Sequence, residues 1–99
     1  MNMAKAKLRK WDSAEHLQTE EDVAAYFDAV LEEAGDDPAF IAHALGVIAR
    51  ARGMSQLARD TGLGRESLYK ALSGDANPSL GTILKVVKAL GLKLHATAA

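Results

Sequence analysis

Between Thr19 and Leu90, apolar side chains recur three and four residues apart in five blocks, the spacing of helices that bury one face. Val23, Phe27, Val30, Leu31 and Ala34 form one such face, on a helix that Thr19 caps and Gly35 stops. Asp37 before Pro38 is a start signal, because proline at the first helical position gives up no hydrogen bond. Ile41, Ala44, Leu45 and Ile48 carry that helix to Arg52, and Gly53 ends it. Two short helices follow over 54–73. Ser55 is placed to cap the first, which Gly62 ends; Leu68, Ala71 and Leu72 give the second an apolar side. After the polar turn DANPS, Ser79 caps a last helix, Leu80 to Leu90, with Ile83, Val86, Val87 and Leu90 inward. Beyond Gly91, Leu92, Leu94 and Ala96 alternate with Lys93 and His95, which favours a short C-terminal β-strand. At the other end, Asp12 or Ser13 caps a short turn through Leu17, and residues 1–10 read as a flexible basic tail. The pattern predicts an all-α five-helix bundle, a single helical domain over 11–99.

The stretch MSQLARDTGLGRESLYKALSG carries the chemistry. Leu57 and Ala58 point inward, Gly62 supplies the turn conformation, Leu63 plugs the turn, and Leu68 anchors the second helix. A small residue, glycine four positions on, then spaced hydrophobics is what two closely crossing helices need if the second is to enter the major groove. Arg65, Glu66, Tyr69 and Lys70 stay on the outer side as candidate base contacts. The Arg65 guanidinium matches O6 and N7 of guanine, Glu66 matches the cytosine amine, and Tyr69 and Lys70 reach a thymine methyl, a base edge or a phosphate. An i, i+4 surface pair between Glu66 and Lys70 is an equal alternative for Glu66. Gln56 on one side, and Asn77, Ser79 and Thr82 on the other, are candidate phosphate contacts, with capping and turn roles as the alternatives for Ser79 and Asn77. Gly64 stands where a hydroxyl cap would otherwise reach a phosphate or base.

Charge divides the chain. The net charge is −1, yet residues 1–11 hold four basic and no acidic groups, residues 12–37 hold ten acidic groups and no Lys or Arg, and residues 38–99 hold eight basic and three acidic groups. A phosphate backbone attracts the last segment and repels the middle one. The acidic helix invites a basic partner, though acids also simply keep an amphipathic helix soluble.

The 99 residues contain no cysteine, three histidines far apart in sequence, no apolar run of membrane-spanning length and no secretory h-region. These features predict a cytoplasmic protein without a membrane association, a metal or a cofactor. No Ser/His/Asp setting is visible, so the chain is expected not to be an enzyme.

QLARDTGLGRESLYKALSG followed by NPSLGTILKVVKALG resembles the Xre-type helix-turn-helix, and more narrowly the addiction-module antidote proteins, antitoxins related to the HigA-like class. The likeness extends to WDSAEHL and the acidic helix. It implies a lambda-repressor-like helix-turn-helix and a sequence-specific DNA-binding antitoxin that represses its own operon. It also implies a partner, a small basic RelE/HigB-like ribonuclease toxin, for which Glu20, Glu21, Asp28 and Glu32 are the candidate contacts. A homodimer follows from mechanism, since two modules are needed to read paired half-sites on double-stranded operator DNA; its seam is expected in the C-terminal half. The alternatives are a phage-repressor-type regulator without a toxin, and an interaction adaptor that does not bind DNA.

Overall fold

In the computed structural model, which describes residues 17–99, the chain forms five helices among those residues. Helix α1, Glu20–Ala34, begins with a reciprocal cap. The Asp22 N–H donates to the Thr19 hydroxyl at 3.0 Å, and the Thr19 N–H donates to the Asp22 carboxylate at 3.2 Å. Two of the amides that a helix start leaves unpaired are thereby satisfied. The buried face is Val23, Tyr26, Phe27, Val30 and Ala34. Tyr26, absent from the predicted stripe, is fully buried, and Leu31 is only half-buried. Tyr26 lies three residues after Val23 and four before Val30, so it widens the same stripe.

Helix α2, Pro38–Arg52, starts as expected, with the Phe40 N–H donating to the Asp37 carboxylate at 3.1 Å. It is the central element. Phe40, Ala42, Ala44, Leu45, Val47, Ile48 and Ala49 are all buried, more than one stripe, because α2 packs on α1 on one side and on later helices on others. Alanines at these crossings let the neighbours approach.

Helix α3, Met54–Thr61, follows α2 across Gly53 alone, and Gly53 is its N-cap. Ser55 therefore lies inside the first turn and caps nothing, a correction to the sequence expectation. One residue between two helices leaves no loop in which Ser55 could stand outside. Helix α4, Arg65–Ala71, and helix α5, Leu80–Ala89, complete the bundle. Ser79 caps α5 as expected, accepting from the Thr82 N–H at 3.1 Å. Helix α3 packs against α2, α4 and α5, and one continuous core draws side chains from all five helices.

After α5 the chain turns back, the Leu92 N–H donating to the Val87 carbonyl at 3.0 Å. Leu92 is half-buried against the core. The C-terminal strand expected from the alternation of Leu92, Leu94 and Ala96 is not formed. A strand needs a second strand to receive its ladder bonds, and the described residues supply none. The basic tail of residues 1–10 and the turn capped by Asp12 or Ser13 lie outside the described residues, apart from Leu17, which is buried in the core.

Candidate nucleic-acid interface

The turn between α3 and α4 is built by Thr61, Gly62, Leu63 and Gly64. Gly62 has φ 75°, a left-handed conformation that costs a side-chain-bearing residue energy, and its N–H donates to the Ala58 carbonyl at 3.0 Å. The Thr61 hydroxyl donates to the Leu57 carbonyl at 2.8 Å and accepts from the Leu63 N–H at 3.2 Å. Thr61 thus ties both limbs of the turn together. The sequence reading missed it, although a Thr directly before a helix-ending Gly is a local signal for such a bond. Leu57 is buried, while Ala58 and Leu63 are half-buried against the core.

Helix α4 is held on its inner side by Leu68, which is buried completely, and by Leu72 at its C-terminal end. A second close contact lies at that end. A Cβ placed on Gly46, in the middle of α2, would sit 2.5 Å from the Leu72 carbonyl oxygen. The backbone of Leu72 therefore rests directly on α2, where only glycine leaves room. Gly46 was not singled out from sequence; a glycine inside a strongly helical pattern is its signal.

With one side so pinned, α4 turns Arg65, Glu66, Tyr69 and Lys70 outward, all of them exposed. Arg65 lies along the helix over Tyr69. Its Cζ is 5.8 Å from the ring centroid, and its Nη2 donates to the tyrosine hydroxyl at 3.4 Å. Stacking of this kind limits the rotamers of the arginine while keeping most of its five N–H donors outward. Glu66 and Lys70 form no ion pair with each other, so the surface pairing considered for Glu66 is not made. Gly64 caps α4 with φ −70° and ψ 151°, and no side-chain hydrogen bond forms there.

The proposed phosphate contacts divide into two groups. Gln56 is exposed at the start of α3, but its amide is engaged within the helix, donating to Asp60 at 2.8 Å and accepting from Arg59 at 2.8 Å. Ser79 and Thr82 are joined at the start of α5, hydroxyl to hydroxyl at 3.1 Å, beside exposed Asn77. The Ser79 hydroxyl takes the Thr82 amide, leaving the amides of Leu80 and Gly81 without an intrahelical acceptor. Such amides suit a phosphate oxygen.

The acidic candidates lie on α1, all exposed. Glu20 pairs with Arg52 at 3.6 Å. Glu21, Asp28 and Glu32 carry no such partner among the described residues. Among the described residues no group of three His, Asp or Glu side chains could hold a metal ion, and no helix is long and apolar enough to cross a membrane. His43 is half-buried, its ring 6.2 Å from that of Phe40.

Fold and surface together define an all-helical domain with a short helix pair that presents Arg, Tyr and Lys outward, and a separate acidic helix. The chain belongs to the family described as "Probable addiction module antidote protein", whose model matches residues 7–98. An uncharacterized protein of Haemophilus influenzae (strain Rd) is 53% identical to it over 89 residues, 90% of this chain and 90% of that protein. No solved structure matches. Membership of an antidote family implies an antitoxin role and a toxin as partner.

Proposed function

We propose that the chain is a DNA-binding antitoxin that neutralises a small RelE/HigB-like toxin and, as a homodimer, represses its own toxin-antitoxin operon from a helix-turn-helix of lambda-repressor type formed by α3 and α4. The observation that carries the DNA half is the division of α4: Leu68 and Leu72 bury one side completely or nearly so, while Arg65, Glu66, Tyr69 and Lys70 are exposed together on the other. A seven-residue helix pinned so firmly has an orientation fixed by its neighbours, as base reading requires.

Arg65 takes a guanine, its fork steadied by Tyr69. Glu66, Tyr69 and Lys70 read or support the neighbouring positions, and Asn77, Ser79, Thr82 and Gln56 contact phosphates. For Gln56 the contact requires exchanging one bond within α3. The toxin half rests on the family and on the exposed acids of α1, with Glu20, Glu21, Asp28 and Glu32 as its contacts. The chain acts by binding in the cytoplasm, without catalysis, metal or cofactor.

The test joins both halves. The chain is co-expressed with the toxin gene beside it, and growth is followed while a reporter reads the shared promoter. Restored growth with a silenced promoter is the expected result. Restored growth with an active promoter removes the repressor half, and no restoration removes the antitoxin half.

A further inference from the structure

The described C-terminal residues, which form no strand, fold back beside α1 and enclose a groove of about 670 Å³. Ala24, Ala25, Asp28 and Glu32 line it from α1, and Leu92, Lys93 and Leu94 face them from the other side. A smaller recess of about 240 Å³ shares Ala24 and Leu92 with it and continues to Glu20 and Glu21. From Glu20 to Glu32 the helix advances ~18 Å, enough to seat three turns of a partner helix or about five residues of a strand.

We propose that this groove is the seat of the toxin, and that it receives a segment of that protein carrying lysines or arginines beside an apolar side chain. The proposal rests on the antitoxin reading and gives it a place. Three features of the groove select this occupant. The alanines let a partner's backbone come close to α1. Leu94, 43% exposed, and half-buried Leu92 offer apolar surface that a partner would cover. Asp28 and Glu32 form no ion pair with a described residue and outnumber Lys93, the cation that lines the same groove.

Charge decides between classes of partner. A nucleic acid or an anionic membrane is disfavoured, because Asp28 and Glu32 outnumber Lys93 along the groove. A second copy related by a two-fold axis would bring four such carboxylates together with only two copies of Lys93, a net like charge that costs energy. A basic protein is attracted, and its contact with Asp28 and Glu32 gains strength as the groove loses water. Among the four acidic residues expected to meet the toxin, the groove gives Asp28 and Glu32 the main part, since Glu20 is already held by Arg52.

The experiment uses the full chain and the toxin encoded beside it, with growth rescue and calorimetric titration of the purified pair as readouts. Asp28→Lys with Glu32→Lys reverses the edge, and Ala24→Trp fills the floor. Glu33→Lys, an exposed site on the same helix outside the groove, is the control. Melting temperature and operator binding are followed in all of them, so that a folding defect is seen directly. Loss of rescue with toxin affinity reduced at least ~100-fold in both groove variants, and a change within about threefold for Glu33→Lys, is the expected result. Rescue by the groove variants equal to wild type overturns the proposal. Equal rescue with a lowered melting temperature assigns the groove to the chain's own residues 1–16, and equal rescue with lost self-association assigns it to a second copy; both overturn it. A wild-type chain that fails to rescue growth overturns the antitoxin reading itself, a different outcome from rescue that the variants leave unaffected.

Discussion

Gly46 and Leu72 meet so closely that a single methyl group at Gly46 would lie 2.5 Å from the Leu72 carbonyl oxygen. The contact joins the middle of the most buried helix to the C-terminal end of the helix whose outer side presents Arg65 and Tyr69. The position of α4 therefore depends on a glycine nineteen residues upstream of Arg65 in the chain, and stability and the presentation of Arg65 share that residue.

Gly46→Ala is expected to destabilise the protein. Overpacking costs about 1–3 kcal/mol, and the better helix propensity of alanine returns up to about 1 kcal/mol. The obstructing atom belongs to the backbone, so no rotamer change relieves it. The melting temperature should fall by roughly 4–8 °C for each kcal/mol lost. An unchanged melting temperature would mean that α2 and α4 separate freely.

Gly64→Ser is expected to act in the other direction. The cap backbone is already extended, no atom lies within 4 Å of an added Cβ, and no side chain bonds the first amides of α4. A serine hydroxyl would accept one of them, for a gain of a few tenths of a kcal/mol. The melting temperature should rise by about 1–3 °C, as thermal denaturation would show; a fall would contradict the cap geometry.

At the other end of the fold, Thr19→Ala should cost about 1 kcal/mol, because it removes the hydroxyl that accepts from the Asp22 N–H and leaves the backbone bond from residue 19 to the Asp22 carboxylate unreciprocated. Asp22→Ala added to it should cost less than Asp22→Ala alone. Chemical denaturation of the four proteins of this cycle measures the coupling, and strict additivity would show that the two bonds are independent.

The positions of the helices were legible because their stripes and caps are local. Thr19, Asp37 and Ser79 each cap where the sequence places a cap. The failures have tertiary causes. Gly46 is passed over in the helical pattern because its close approach to Leu72 lies outside its own helix, and Tyr26 falls outside the predicted stripe although it is fully buried. Leu92, Leu94 and Ala96 alternate like a strand, but alternation cannot supply a neighbouring strand. At the candidate site, exposure of Arg65, Glu66, Tyr69 and Lys70 followed from helical spacing alone. The stacking of Arg65 on Tyr69 required side-chain geometry, and the groove beside α1 required knowing where the C-terminal residues return.

Binding of α4 to base edges is tested most directly by fluorescence anisotropy. A labelled duplex from the promoter of the shared operon and a scrambled duplex of equal length are titrated at one fixed salt concentration with wild type and with Arg65→Ala. Wild type should prefer the promoter, and Arg65→Ala should lose about 1–3 kcal/mol of promoter affinity, roughly 5- to 150-fold, with binding to the scrambled duplex nearly unchanged. Equal loss on both duplexes would place Arg65 on a phosphate, and a wild type without preference would contradict operator reading by this helix.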